Sequence, residues 1–161
     1  MKMDGADGTA SNFTAAHLKN PAASDFLCIL KRIIITNHNI TASSVDYYVN
    51  IGRKDTNLGG VADGTYAAQT VSVNGAEDGT GDSACLTATA SPASASTDAP
   101  TVSFGKIAMA KKTTQVIRFD LDGDPDSGIV LDEGTGFVVK AQGTALTDLH
   151  VTFDWIEKRI V

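Results

Sequence analysis

Long apolar runs are absent from this 161-residue chain: no stretch approaches the ~20 consecutive apolar residues that a membrane-crossing helix needs. Cysteine is nearly absent too. Cys28 and Cys85 are too few for a disulfide framework, and neither sits in a CxxC or Cys/His spacing that would hold zinc. Cys28 lies in an apolar run and reads as a small core residue, whereas Cys85 lies in a small-residue loop, where its exposure decides its reactivity. Basic residues are outnumbered, with 13 Lys and Arg against 19 Asp and Glu for a formal net charge of -6. Gripping a phosphate backbone takes clustered cations, and Lys31-Arg32 and Lys111-Lys112 are isolated pairs, so neither nucleic acid nor membrane is expected as a partner. Aromatic side chains make up only 6% of residues. That leaves Tyr48, Tyr66 and Trp155 as rings for a sugar-binding platform, and Trp155 alternates in phase with Phe153 and Val151, which assigns it to packing. The N-terminal residues lack the apolar segment of a signal peptide, so synthesis in a cytosol is expected and the triplets Asn12-Phe13-Thr14 and Asn39-Ile40-Thr41 carry no glycosylation mechanism.

What is present is a period of two. Phe26 to Thr36 is rich in β-branched residues, apolar on both faces over much of its length, and ends at the polar Asn37-His38-Asn39, so it predicts a central strand. Val45, Tyr47, Val49 and Ile51 alternate with Asp46, Tyr48 and Asn50, the signature of a strand wet on one side. Strands follow at Val102 to Met109, Gln115 to Leu121, Gly128 to Gly134 and Gly136 to Gln142, with Ala110 to Thr114 as a hairpin turn. The last strand sets Leu149, Val151, Phe153 and Trp155 on one side and His150, Thr152, Asp154 and Lys158 on the other. About seven strands and no helical period predict an all-β antiparallel sandwich or jelly roll.

Two segments depart from this pattern. Residues 1–25 are polar and small, with Phe13 and Leu18 as the apolar anchors before Asn20-Pro21, and are expected to form an extended arm whose anchors bind a partner. Residues 26–161 then form one domain. Within it, a Gly/Ala/Ser/Thr-rich excursion over about 54–100 holds one candidate strand at Tyr66 to Val73 and is expected to be ordered by a neighbouring subunit.

Concentrated chemistry is missing. Asp120, Asp122, Asp124 and Asp126 alternate in a way that suits calcium, but no bidentate Glu closes the loop, where Leu131 stands, and a solvated turn is the plainer reading. Otherwise no cofactor is expected. His17, His38 and His150 are scattered across arm, turn and strand without a nucleophile motif. Asp132-Glu133 are adjacent, point to opposite sides in a strand, and suit a solvated turn better than a glycosidase pair. The chain is therefore expected not to be an enzyme.

The order of motifs, from Ile33-Ile-Ile-Thr-Asn37 through Tyr47-Tyr-Val-Asn-Ile-Gly52 and Val116 to Leu121, to Gly128-Ile-Val-Leu-Asp-Glu-Gly134 and Phe137 to Gln142, resembles small β-sandwich virion proteins of tailed bacteriophages. The resemblance covers Phe26 to about Arg53 and Lys106 to Val161 and departs at the Ala/Ser-rich excursion. It implies a structural protein of the virion, made in the host cytoplasm: a capsid decoration or cement subunit, homotrimeric, bound to the major capsid protein or other virion subunits. A tail, fibre or receptor/carbohydrate-binding module is the alternative.

Overall fold

The structure, a computed structural model, describes residues 2–4, 13–38, 47–55, 85–93, 100–121, 124, 126–142 and 148–160. Ten strands run in chain order: β1 (Lys2–Asp4), β2 (Phe13–Lys19), β3 (Phe26–Asn37), β4 (Tyr47–Lys54), β5 (Leu86–Ala93), β6 (Val102–Met109), β7 (Thr114–Arg118), β8 (Ile129–Leu131), β9 (Gly136–Gln142) and β10 (Asp148–Arg159). They form two antiparallel sheets. The first is ordered β1-β10-β3-β7, with β8 pairing the other half of β3, and the second is ordered β5-β2-β9-β4-β6. Alternate residues of both sheets face one shared core, so the predicted sandwich is observed. Its centre holds Leu30, Ile33, Ile35, Leu149 and Val151 from the first sheet and Leu18, Val49, Phe137 and Val139 from the second, all buried. Each such side chain contributes about 1.5–3 kcal/mol by leaving water.

The long strand β3 serves both halves of the first sheet because it carries a bulge. Asp154 pairs with Arg32 and Trp155 with Leu30, so Lys31 is the extra residue. Its carbonyl accepts the Phe119 N–H at 2.8 Å, and its Nζ donates to the Ser127 carbonyl. Adding one residue flips the side-chain parity, and this is why the buried positions run Cys28, Leu30 and then Ile33, Ile35.

Two expectations are corrected here. The leader is not an arm over its described residues: β1 pairs with β10, and β2 lies inside the second sheet between β5 and β9. Leu18, expected to meet a partner, is fully buried in the domain's own core. A small residue such as Ala16 hid an interior strand, because its Cβ gives little apolar signal while still packing in the core. The side chain of Phe13, the other expected anchor, lies outside the described residues. Part of the excursion is likewise built in, as the edge strand β5; Tyr66 to Val73 lies outside the described residues. The second correction concerns Ala110 to Thr114, which is not a hairpin turn. It carries the chain from β6 in one sheet to β7 in the other, held by Asn37, which donates from Nδ2 to the Ala110 carbonyl at 3.1 Å and from its backbone N–H to the Thr113 carbonyl at 2.8 Å.

Asn20 ties the end of β2 to three other elements. Its Nδ2 donates to the Phe26 and Leu131 carbonyls at 2.8 and 2.9 Å, its Oδ1 accepts the Ser24 hydroxyl at 2.7 Å, and its backbone groups bond Thr135 and Gly134. A buried amide with all these partners is satisfied; removing it takes a donor from the Leu131 carbonyl and leaves the Phe26 carbonyl only the Ser24 hydroxyl at 3.2 Å. Asn20→Ala is expected to lower stability by about 2 kcal/mol with the urea m-value unchanged, as measured by chemical denaturation.

Candidate interaction surface at the open edge of the sandwich

β6 ends the second sheet, and β7 with β8 ends the first on the same side, so the sandwich opens there between two strand edges. The mouth is apolar. On β6 the register steps from Ile51–Gly105 to Gly52–Ser103, leaving Phe104 as a bulged residue without a cross-strand partner. The bulge turns Phe104 toward the interior, where its ring stacks on the fully buried Phe137 at 5.9 Å between centroids and meets Phe119 at 6.5 Å; Phe119 and Phe137 are 5.5 Å apart. Such pairs add about 0.5–1.5 kcal/mol beyond the area they bury.

This closeness depends on Gly52. A Cβ there would lie 2.2 Å from the Val102 carbonyl oxygen and 2.5 Å from the Pro100 Cβ, so only glycine lets β6 sit this deep on β4. Despite the stacking, Phe104 remains 48% exposed, beside Val102 at 42% and Leu121 at 71%. Leu121 lies three residues beyond the end of β7, in the turn that its backbone N–H makes with the Ser127 hydroxyl. Exposed apolar side chains beside strand edges that have no partner among the described residues form a surface that favours burial against another protein.

The candidate cation loop is organised as a turn. Asp124 Oδ1 accepts the Asp126 N–H at 2.8 Å, the Asp124 carbonyl accepts the Ser127 hydroxyl at 2.9 Å, and the same hydroxyl oxygen accepts the Leu121 N–H at 2.6 Å. Asp126 pairs with Lys158 of β10. Asp120 is half-buried, Asp122 lies outside the described residues, and no group of three or more metal-ligating side chains occurs among the described residues. The Asp124 carboxylate thus serves the turn and that of Asp126 an ion pair, whereas Asp120 Oδ1 is buried with no hydrogen-bond partner among the described residues.

Of the histidines, His38 and His150 meet edge to face at 6.4 Å at one end of β3 and β10, where the register gives His150 the neighbours Thr36 and Lys2. His17 is fully buried on the opposite face of β2 from Leu18, far from the role of an arm residue. The Asp132-Glu133 turn is exposed, with Glu133 Oε1 accepting the Asp25 N–H at 2.8 Å and the Asp132 carbonyl accepting the Thr135 N–H at 3.0 Å. Trp155 packs against the core, and its indole N–H donates to Glu157 Oε1 at 3.0 Å.

Sheet pairing also gathers what the linear sequence disperses. His17, Lys19, Lys54, Lys106 and Lys140 lie on strands β2, β4, β6 and β9 at positions that share the outer face of the second sheet. Lys54 and Lys140 are buried, and both, like His17 and Lys19, already have interaction partners. No protein-family model, curated protein or solved structure matches the chain.

Proposed function

We propose that this protein is a structural subunit of a tailed-bacteriophage virion, a capsid decoration or cement protein that binds between coat subunits and acts without catalysis. The observation that carries the binding role is the apolar mouth at the open edge, where Val102, Phe104 and Leu121 stay in contact with water although the core beneath them is well packed. The assignment to a virion rests on the motif order of Phe26 to about Arg53 and Lys106 to Val161. Because the leader and β5 belong to the domain's own sheets, the contact with coat subunits is assigned to the mouth and no longer to an arm. A rigid sandwich presenting Phe104 and Leu121 suits repeated docking on a symmetric shell, where modest contacts multiply by avidity. As a tail, fibre or carbohydrate-binding module the chain would need exposed rings aligned on one face; Tyr48 is exposed, but Trp155 is committed to Glu157.

Co-expression with the major coat protein of the same virion tests the proposal. The chain is expected to purify as a trimer and to co-sediment with assembled heads. Leu121→Asp, at a site too exposed to disturb the core, is expected to keep the Tm and weaken head binding at least about tenfold. A monomer that leaves heads bare would overturn the decoration reading, and a Leu121→Asp variant that binds as tightly as the parent would move the contact away from the mouth.

A further inference from the structure

The two cysteines, far apart in sequence, lie together in the core. Cys28 points inward from β3, Cys85 directly precedes β5, and both are buried members of the same cluster. Glu157 joins them. It lies directly opposite Cys28 in the β3–β10 register, and its Oε1 accepts the Cys85 N–H at 3.0 Å. The neighbouring Cys28 thiol and burial, with Glu157 adding its negative charge, push the Cys85 thiol pKa up. The Cys85 thiolate is therefore disfavoured where it lies, and the sequence holds no third cysteine to compete.

We propose that Cys28 and Cys85 are a disulfide-forming site that staples the first sheet to the edge of the second when the protein meets a low-molecular-weight disulfide oxidant. The chemistry is a double exchange. One cysteine, as its thiolate, attacks a sulfur of the oxidant, forms a mixed disulfide and expels one small thiolate. The other cysteine then attacks the protein sulfur of that mixed disulfide, forms the Cys28–Cys85 bond and expels the second small thiolate. Two electrons pass from the protein to the oxidant, and the two thiol protons end on the two released thiols. The closed core withholds the thiolate, so exchange proceeds through opening or during folding, and in a reducing compartment the pair stays a dithiol. Once formed, the bond closes a loop of roughly 60 residues, a length for which restriction of the unfolded chain is large.

The test uses the full-length chain, denatured and refolded in oxidised glutathione, against the same chain refolded in reductant. The expected product has lost two hydrogens, gives a Cys28–Cys85 cross-linked peptide only in the absence of reductant, and melts about 10 °C above the reduced form. Cys85→Ala, treated identically, is expected to show no difference in Tm between the two conditions. Two free thiols, a persistent glutathione adduct, or cross-linked dimers would overturn the site; an intramolecular disulfide that leaves the Tm unchanged or lowers it would overturn the staple. The outcome does not depend on what the mouth binds.

Discussion

Gly128→Ala is expected to cost about 4 kcal/mol, the sum of about 1–3 for backbone strain and about 1–3 for overpacking. Gly128 has φ +140, a region nearly closed to residues with a Cβ, and an added Cβ would stand 2.7 Å from the Leu30 carbonyl oxygen and 2.9 Å from Ile29 Cγ2. Neither atom yields easily. Leu30 pairs with Ile129 on one side and Trp155 on the other, at the centre of the first sheet beside the Lys31 bulge. In a chain of this size the loss corresponds to a fall in Tm of about 8–16 °C. Gly134→Ala separates the two causes, since Gly134 has φ +76 and open space where its Cβ would go. That variant should lose only the strain, about 1 kcal/mol. Equal losses at the two glycines, measured by urea denaturation, would show that the close approach of Gly128 to β3 contributes nothing.

The strands with large alternating side chains were legible, and the strands made of small ones were not. β6 and β9 coincide with their predicted bounds, and β10 buries Leu149, Val151 and Phe153 as their spacing requires. The bulge at Lys31 left no trace, because Phe26 to Leu30 and Ile33 to Ile35 are apolar at every position and hide the change of parity. β2 and β5 left none, because Ala, Thr and Ser supply little hydrophobic contrast; their place is decided by long-range partners, β9 for one and β2 for the other. The same cause misplaced Leu18: an apolar residue in a small-residue context looks like an exposed anchor until a neighbouring strand covers it.

The candidate surface was illegible for a different reason. Val102 and Phe104 read correctly as strand residues, whereas Phe119 and Leu121, predicted in the strand Gln115 to Leu121, lie beyond the end of β7 at Arg118; the meeting of Phe104 with Phe119 follows from the crossover at Ala110 to Thr113, which a reading of local turn chemistry takes for a hairpin. A hairpin would have hidden β6 beside β7 in one sheet. The crossover instead leaves both as edges and opens the mouth between them. The cysteine pair escaped notice similarly, since Cys85 neighbours Cys28 only through the seating of β5 on β2.

Phe137→Ala should be as damaging as the glycine change, by about 3–5 kcal/mol, because it empties the floor on which Phe104 and Phe119 rest. Full burial rules out a compensating gain in hydration, and central strand β9, fixed between β2 and β4, cannot collapse into the void. Phe104→Ala removes a half-exposed ring and should cost less, about 1–2 kcal/mol. The double variant decides whether the mouth is an extension of the core. If stacking couples the rings, the combined loss will fall short of the sum by about 0.5–1.5 kcal/mol. Strict additivity in thermal and urea unfolding would mean that Phe104 leans on the domain without sharing its packing, and a docking surface preorganised by the core would then lose its physical basis.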